Sequence, residues 1–354
     1  MEYEFPKEKL SLKKGENKII DFYPLRNKTA LSEITVTGKT KAQQVRETPY
    51  NVTAIDATKL HNATTDINQV LNRTTGIKIR ETGGMGSGFS FSLNGFSGNQ
   101  VRFFIDGIPM DNLGSSFQIN NIPVNLAERI DVYKGVVPIS LGADILGGAI
   151  NIITNPGKKN FIDASYSYGP FNTHRTSVNT SYTTRQGVNF QLSVSQNYSD
   201  NNYKVNIEVA DLVTGEYIPM RVKRFHDTYH NETVIAKAGL VNKPFADILQ
   251  AGITLGQNIK DIQTGNRMYE VYGMRMTKGN IIMPSVRYSK NNLFVEGLDF
   301  NLNGNCNLGE EQSIDTVPRQ YNWLGDYVVN NSSDSRGVKQ VLPHYIIIKI
   351  TTAC

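Results

Sequence analysis

The stretch VNFQLSVSQN, residues 188–197, alternates apolar and polar side chains along its whole length. One face carries Val188, Phe190, Leu192 and Val194, and the other carries Asn189, Gln191, Ser193 and Ser195. A period of two is typical of a β-strand whose faces meet different surroundings. The same alternation returns in LQAGITLG, residues 249–256. These stretches predict a second half built from long antiparallel strands.

The spacing of such strands indicates how they are connected. We predict strands near 161–169, 173–184, 188–197, 229–240, 246–257, 280–290 and 293–304. Their links at 185–187, 241–245 and 291–292 are short, whereas those at 198–228 and 258–279 are long. Alternating short turns and long loops is typical of a transmembrane antiparallel β-barrel. A soluble β-rich adhesin or carbohydrate-binding module is the alternative that strands and polar loops leave open.

Composition excludes several other classes. The net charge of the 354 residues is +5, and the basic residues are spread along the chain, so we expect no nucleic-acid partner. Cys306 and Cys354 lie far apart, without a metal-ligand spacing. No convergent acid, base and nucleophile set appears. We therefore expect no enzyme, no cofactor and no bound metal.

Residues 53–157 have a different pattern, typical of a globular α+β unit. Ile67, Val70 and Leu71 have helical spacing, with Thr65 or Asp66 as the N-cap and Gly76 after the end. Three stretches read as strands: QVRFFIDGIPM at 100–110, with a turn at Asp106–Gly107, AERIDVYKG at 127–135 and GGAINIIT at 147–154.

The glycine-rich stretch ETGGMGSGFSFSLNGF, residues 81–96, raises the question of a phosphate loop. Such a loop needs a helix after it, so that the helix N-terminus faces the anion. Phe89–Leu93 instead alternates like a strand. The sequence therefore predicts no phosphate loop here.

Residues 92–154 carry a series of motifs in a specific order. Its members are Asn94, Gly95, Asn99, Gln100, Asp106, Gly107, Glu128, Arg129, Tyr133, Gly135, Gly147, Gly148 and Asn151. In this order and spacing they resemble the plug of TonB-dependent outer-membrane receptors. Asn94 stands where that family usually has arginine, and an amide cannot replace a guanidinium in a bidentate pair with a carboxylate. The resemblance therefore predicts weaker anchoring of the plug at this position.

The resemblance extends toward the N-terminus. Glu33, Ile34, Thr35, Val36 and Thr37 resemble the TonB box, and Lys9–Tyr23 resembles the end of the carboxypeptidase-regulatory-like domain of Bacteroidetes receptors. We predict strands at Glu8–Leu12 and Asn17–Tyr23 and an extended, exposed connector over Leu31–Val52. The resulting domains are a remnant of that first domain at 1–28, the box and linker at 29–52, the plug at 53–157 and the start of a barrel at 158–354.

The resemblance also implies a function. It implies energised uptake of a scarce ligand, such as a ferric siderophore, haem or cobalamin, across the outer membrane of a Gram-negative bacterium. The implied partners are TonB with ExbB–ExbD, outer-membrane lipid and a small organometallic or other nutrient ligand. TonB would pair with the box by adding a strand to it. Plug loops in this family face the outside, which makes Met85, Ser87 and Phe89 candidate ligand contacts, with a flexible loop without ligand contact as the alternative. A plug loop at the mouth of the lumen also implies positive φ angles and close backbone approach for the glycines at 83, 84, 86 and 88.

Some charged and aromatic residues have two interpretations. His226 and His230 would meet on one face of a helix and could bind a metal or haem iron. Asp106–Gly107 is more typical of a tight turn than of a site. Glu128 and Arg129 are candidates for polar contacts between plug and wall, with solvated strand charges as the alternative. An interfacial aromatic belt, or simple β-propensity, explains Tyr166, Tyr168, Tyr182 and Tyr198.

Length limits how much of a barrel the chain can build. A plugged transporter barrel has about 22 strands, and the sequence after residue 160 supplies far fewer. We therefore expect a receptor fragment that lacks a signal sequence, most of its first domain and most of its barrel.

Overall fold

The computed structural model describes residues 3–4, 25–26, 40–61, 65–110, 118–142, 145–154, 160–265, 267–329, 337–341 and 345–353. Residues 1–40 and 41–354 form separate units. In the first unit, β1 (Tyr3–Glu4) pairs antiparallel with β2 (Leu25–Arg26). The strands predicted at 8–12 and 17–23 and the predicted TonB box at 33–37 lie outside the described residues.

The second unit begins with a helix, α1 (Lys41–Arg46). We predicted an extended connector here, and that prediction is wrong for these residues. The sequence KAQQVR contains no glycine or proline and consists mostly of good helix formers. Ala42 is buried, and Lys41 Nζ lies 3.1 Å from Glu128 Oε1, so tertiary contacts hold the helix in place.

Residues 41–154, called here the mixed domain, contain a second six-residue helix and two small sheets in addition to α1. Its elements are β3 (Val52–Asp56), α2 (Ile67–Asn72), β4 (Ile77–Glu81), β5 (Phe89–Leu93), β6 (Phe96–Ser97), β7 (Val101–Ile105), β8 (Ile108–Pro109), β9 (Ala127–Lys134) and β10 (Gly148–Thr154). Short 3-10 helices occupy Ala57–Leu60, Gly98–Gln100, Ile119–Asn121 and Val124–Leu126. One sheet has the order β3–β9–β10–β7–β8, with β10 and β7 parallel, and the other has the order β4–β5–β6.

The predicted helix and strands of this domain are confirmed. Asp66 is the N-cap of α2, where its carboxylate accepts a hydrogen bond of 2.9 Å from the Gln69 backbone N–H. Gly76, after the helix, has a φ of 86°. The core joins the inner faces of β9 and β10 to α2 through Ile130, Val132, Ile150, Ile152, Ile67 and Leu71.

The second half forms what we call the wall sheet. Its strands are β11 (Phe161–Gly169), β12 (Thr173–Thr183), β13 (Val188–Ser199), β16 (Tyr229–Lys243), β17 (Ala246–Thr264), β18 (Val271–Lys290), β19 (Asp299–Asn307), β20 (Glu311–Asp315), β23 (Gly337–Val341) and β24 (Tyr345–Ala353). Two further hairpins, called here the outer hairpins, lie between wall strands along the chain and do not pair with the wall sheet. One joins β14 (Lys204–Ala210) to β15 (Tyr217–Lys223), and the other joins β21 (Arg319–Tyr321) to β22 (Tyr327–Val329). The main path runs β11–β12–β13–β16–β17–β18–β19–β24, and within the described strands its two ends do not pair with each other.

The two faces of the wall sheet confirm the predicted alternation. Along β17, Ile253 and Leu255 are exposed, whereas Gln250 and Thr254 are buried. Ile281 and Met283 of β18 join the core cluster of the mixed domain, so the face with the buried polar residues is the one that packs on that domain. An apolar outer face and a polar inner face are the reverse of a water-soluble sheet and are typical of a transmembrane barrel.

The predicted connection lengths need correction. The link between β17 and β18 spans only 265–270, and the link between β18 and β19 spans 291–298. The strict alternation of short and long links is therefore wrong beyond β17. Strands β17 and β18 continue their pairing from Asn258 opposite Gly279 to Thr264 opposite Val271, so residues that we predicted as loop extend the hairpin.

Within the described residues, no helix has both the length and the apolar character needed to cross a membrane.

Candidate functional site

A buried carboxylate joins the mixed domain to the wall sheet. Asp106 and Gly107, between β7 and β8, have φ angles of 51° and 80°, which confirms the predicted tight turn. The Asp106 side chain is nevertheless buried, and its Oδ2 lies 3.2 Å from Lys237 Nζ on β16. Its Oδ1 lies 3.5 Å from the Arg287 guanidinium on β18. The turn is thus also an ionic anchor.

Strand β10 holds this anchor from within the mixed domain. Thr154 donates its backbone N–H to Asp106 Oδ1 at 3.0 Å and its hydroxyl to Oδ2 at 2.6 Å. Asn151 Oδ1 accepts the Gly107 N–H at 3.0 Å. Because the turn and the end of β10 are tied together in this way, the carboxylate has a fixed direction.

The charges around Asp106 determine its protonation state. Burial alone raises the pKa of a carboxyl group, but Lys237, Arg287 and the Thr154 hydrogen bonds together outweigh burial here. They lower the pKa of Asp106 from 3.8 to about 2. The anchor is therefore ionised throughout the physiological pH range.

A second ionic contact lies at the start of α2. Arg175 on β12 places Nη1 3.2 Å from Asp66 Oδ2. Asp66 is also the N-cap of α2, so one carboxylate both stabilises the start of this helix and binds the wall.

Polar groups near β11 form a third contact beside a cavity. Asn125 donates its Nδ2 to Asp163 Oδ1 at 2.6 Å and to the His61 backbone oxygen at 3.0 Å. His61 Nδ1 lies 3.7 Å from Asp163 Oδ2. These residues, together with Asp106 and Lys237, line a cavity of about 390 Å³ between the mixed domain and the wall.

The glycine-rich loop is also held by the wall. Asn201, which follows β13, accepts the Met85 N–H and donates to the Met85 backbone oxygen, both at 2.9 Å. Lys260 Nζ donates to the Gly86 backbone oxygen at 2.7 Å. Gly86 has a φ of 70°, and a Cβ there would collide with the Tyr229 ring. Close approach, which we predicted for these glycines, explains Gly84 and Gly86. The positive φ angles that we also predicted are confirmed for Gly86 and are wrong for Gly83, Gly84 and Gly88.

The candidate ligand contacts in this loop have different surroundings. Met85 is partly buried and bound through its backbone. The Ser87 backbone oxygen accepts a hydrogen bond of 3.1 Å from Asn120, and Phe89 packs against the core of the mixed domain. Ligand contact by these residues stays a prediction.

The contacts predicted for Glu128 and Arg129 are made inside the mixed domain. Glu128 pairs with Lys41, and Arg129 binds both oxygens of Asp131, at 2.7 and 2.9 Å. The predicted polar contacts between plug and wall are therefore replaced, for this pair, by contacts within the mixed domain. Alternation along β9 explains this outcome, because it directs Arg129 toward Asp131 on its own strand.

Other motif residues define turns and close packing. Asn94, with a φ of 50°, and Gly95, with a φ of 90°, form the exposed turn between β5 and β6. Asn99 and Gln100 lie in a 3-10 helix, and the Tyr133 ring packs edge-on against Tyr50 at 6.2 Å. Three glycines close the series: Gly135 with a φ of 88°, Gly147 against Phe96 and Gly148 against the Tyr133 backbone oxygen.

The two histidines do not form the predicted helical pair. His230 lies in β16 and its Nε2 is 3.0 Å from Glu232 Oε1, whereas His226 Nε2 is 3.0 Å from the Arg275 backbone oxygen. In the part of the chain that the structure describes, no three His, Cys, Asp or Glu side chains could hold a metal ion.

Sequence reasoning missed the residues that complete these contacts on the wall side. Lys237 interrupts the apolar run VIAKAGL, and a charge in such a strand was a signal that it faces the polar interior. Arg287 and Asn201 had no comparable signal. Nor did Trp323, which is buried among Val209, Val222 and Val271 and donates its indole N–H to the Met268 oxygen at 2.8 Å. Trp323 thus joins the two outer hairpins to the link between β17 and β18.

These features define a protein class, a transmembrane antiparallel β-barrel with a globular α+β plug, of which the described strands form an open part. Residues 44–149 match the family model of the TonB-dependent Receptor Plug Domain. Over 122 residues the chain is 32% identical to the vitamin B12 transporter BtuB of Vibrio vulnificus (strain CMCP6), across 34% of this chain and 20% of that protein. Residues 44–149 are thus similar to the plug of TonB-dependent receptors, and the mixed domain is called the plug below.

Solved structures show the same fold. The siderophore receptor PiuA from Acinetobacter baumannii superposes with a TM-score of 0.52 at 16% identity, covering 76% of this chain and 38% of that one. A variant of the ferric enterobactin receptor PfeA from Pseudomonas aeruginosa has a TM-score of 0.54 at 14% identity, covering 79% and 43%. The chain therefore spans a fifth of the curated relative and about two fifths of these receptors.

Proposed function

We propose that this chain is part of a TonB-dependent outer-membrane receptor that imports a scarce ligand using the inner-membrane proton gradient. The observation that carries the proposal is the Asp106 anchor. It fixes a plug inside a wall through discrete polar contacts, and Asp66–Arg175 and Asn125–Asp163 add to it. Contacts of this kind can be broken one after another by a pulling force.

The ligand that we propose is a ferric siderophore, haem or cobalamin. The relatives support this class by their names, which specify vitamin B12, siderophores and ferric enterobactin. The region around the outer hairpins offers cationic and aromatic groups for such a ligand. Arg224 lies over the rings of Tyr203 and Trp323, and Arg275 lies over the ring of Tyr272.

TonB, working with ExbB–ExbD, is the proposed source of force. The segment Glu33–Thr37 would bind it as an added strand, since extended backbone offers free N–H and C=O groups. The proposed location is the outer membrane of a Gram-negative bacterium, with lipid against the apolar outer face of the wall. We also propose that residues 1–28 are the remnant of a carboxypeptidase-regulatory-like domain of a Bacteroidetes-like receptor, and that the protein is not an enzyme.

Binding of the purified periplasmic domain of TonB to the full chain in detergent tests the coupling. Ile34→Pro removes a backbone donor from the box, and Ile34→Val is the matched control. We expect at least a tenfold rise in Kd for the proline variant and no change for the valine variant. Equal affinity of all three proteins, or no binding to the unmodified chain, would contradict the proposal.

The single tryptophan of the chain gives a test of the ligand class. Trp323 lies between the two outer hairpins, so a ligand bound beside these hairpins should quench its fluorescence. We expect saturable quenching by ferric enterobactin, haemin or cyanocobalamin and none by maltoheptaose. Quenching by the glycan alone would favour the carbohydrate-binding alternative.

A further inference from the structure

One asparagine is bound to the plug and to an outer loop at the same time. Asn201 is buried two residues after the end of β13, and its carboxamide pairs with both the N–H and the C=O of Met85. The same Nδ2 donates to the Asp227 backbone oxygen at 3.0 Å. A carboxamide offers one acceptor and two donors on its two terminal atoms, and all three contacts use them.

Asp227 is itself held by charges from two directions. Arg224 Nε lies 2.9 Å from Asp227 Oδ2. Burial raises the pKa of Asp227, while the positive charges of Arg224 and Lys260 act in the opposite direction. Lys260 is also the residue that donates to Gly86, so the plug loop and the Asp227 loop share a cationic partner.

Arg224 continues the connection outward. Its guanidinium lies 5.5 Å from the centre of the Tyr203 ring and 5.6 Å from that of Trp323. The backbone N–H of Arg224 donates to the backbone oxygen of Tyr203 at 3.1 Å. A chain of contacts therefore runs from the Trp323 cluster through Arg224 and Asp227 to Asn201 and the glycine-rich loop.

We propose that Asn201 is a latch that couples the outer loops to the plug, and that displacement of Arg224 from Asp227 loosens the glycine-rich loop. The ligand group that would displace Arg224 is an anionic oxygen, because it competes with the Asp227 carboxylate for the guanidinium. The role as a ligand-operated latch rests on the uptake function proposed above. The coupling itself is a property of the chain without ligand or TonB.

Amide hydrogen exchange on the purified full chain in detergent, without ligand or TonB, tests that coupling. The Met85 N–H is the reporter, because Asn201 accepts it. Asn201→Gly removes the carboxamide, and glycine tolerates the φ of 48° at this position. Arg224→Met removes the charge at the far end of the connection. Asn206→Ala, on the exposed face of β14, is the matched control.

We expect Met85 to exchange at least tenfold faster in both Asn201→Gly and Arg224→Met and at the normal rate in Asn206→Ala, with β10 amides unchanged in all three. An unchanged Met85 rate in Asn201→Gly overturns the latch. An unchanged rate in Arg224→Met overturns the coupling. If Asn201→Gly also loses β10 protection, Asn201→Asp decides, because it keeps the acceptor but loses both donors and should still accelerate Met85 exchange. None of these outcomes depends on TonB binding, so they are separable from the test of uptake.

Discussion

The carboxylate of Asp106 lies 3.2 Å from Lys237 Nζ, although the two residues are 131 positions apart in the chain. One belongs to a plug turn and the other to the middle of wall strand β16. With Arg287 on β18, Lys237 gives the buried carboxylate two cationic partners on non-adjacent wall strands. Both contacts therefore require that strands β16 and β18 keep the observed register on either side of β17.

Loss of the Asp106 charge should release the plug. Asp106→Asn leaves Lys237 and Arg287 without their shared counterion, and the lowered pKa of Asp106 indicates a loss of about 2 kcal/mol. We expect this loss as faster amide exchange of Thr154 and its neighbours in β10. Asp211→Asn, in the turn of the β14–β15 hairpin, is the control and should leave β10 unchanged. Equal protection in both variants would contradict the anchor.

Acid should weaken the same contact in a defined pH range. The pKa of Asp106 is lowered from 3.8 to about 2 in the folded protein, so the ionised form stabilises the fold above pH 3.8. That contribution of about 2 kcal/mol is lost as pH falls from about 4 to about 2. Denaturant titrations across this range should show a smaller pH dependence in Asp106→Asn than in the unmodified chain. An identical dependence would rule out Asp106 as its source.

Gly86 should be intolerant of any side chain. Gly86→Ala adds a Cβ that collides with the Tyr229 ring and places alanine at a φ of 70°. Strain at such a position costs about 1–3 kcal/mol, so we expect a lower unfolding midpoint and protease cleavage within 82–90. Gly88→Ala is the matched control in the same loop, since the nearest atom to its Cβ is Thr82 Oγ1 at 3.6 Å. Similar behaviour of the two variants would refute the close-packing argument.

Trp323 should stabilise the packing of the two outer hairpins without affecting the stability of the plug. Trp323→Ala removes a buried aromatic side chain, which typically costs about 3–5 kcal/mol. We expect rapid tryptic cleavage after Lys204, Arg221 and Lys223 in the β14–β15 hairpin, with normal protection of β10. Trp323→Phe keeps most of the packing but loses the hydrogen bond to Met268. Its cleavage rate should therefore lie between those of the unmodified chain and Trp323→Ala. Loss of β10 protection in Trp323→Ala would contradict the local role.

Local pattern was sufficient for several elements, but it did not predict the β14–β15 and β21–β22 hairpins. Apolar spacing in Ile67, Val70 and Leu71 predicted α2, and the Asp106–Gly107 pair predicted a turn. Alternation in residues 188–197 predicted β13 and its two faces. Each of these signals is contained within a few neighbouring residues. Pattern failed at α1 and at the ends of β17 and β18, where contacts with other elements extend the regular structure.

The sequence by itself determined that a plug-like α+β domain precedes long strands with one apolar and one polar face, because periodicity and turn chemistry are local properties. Only the tertiary structure decided which groups meet: Asp106 with Lys237 and Arg287, Asp66 with Arg175, Asn201 with Met85, and Lys260 with Gly86 across 174 positions. These pairings depend on strand register and on how the plug packs inside the wall. A shift of one residue would turn each wall side chain to the opposite face.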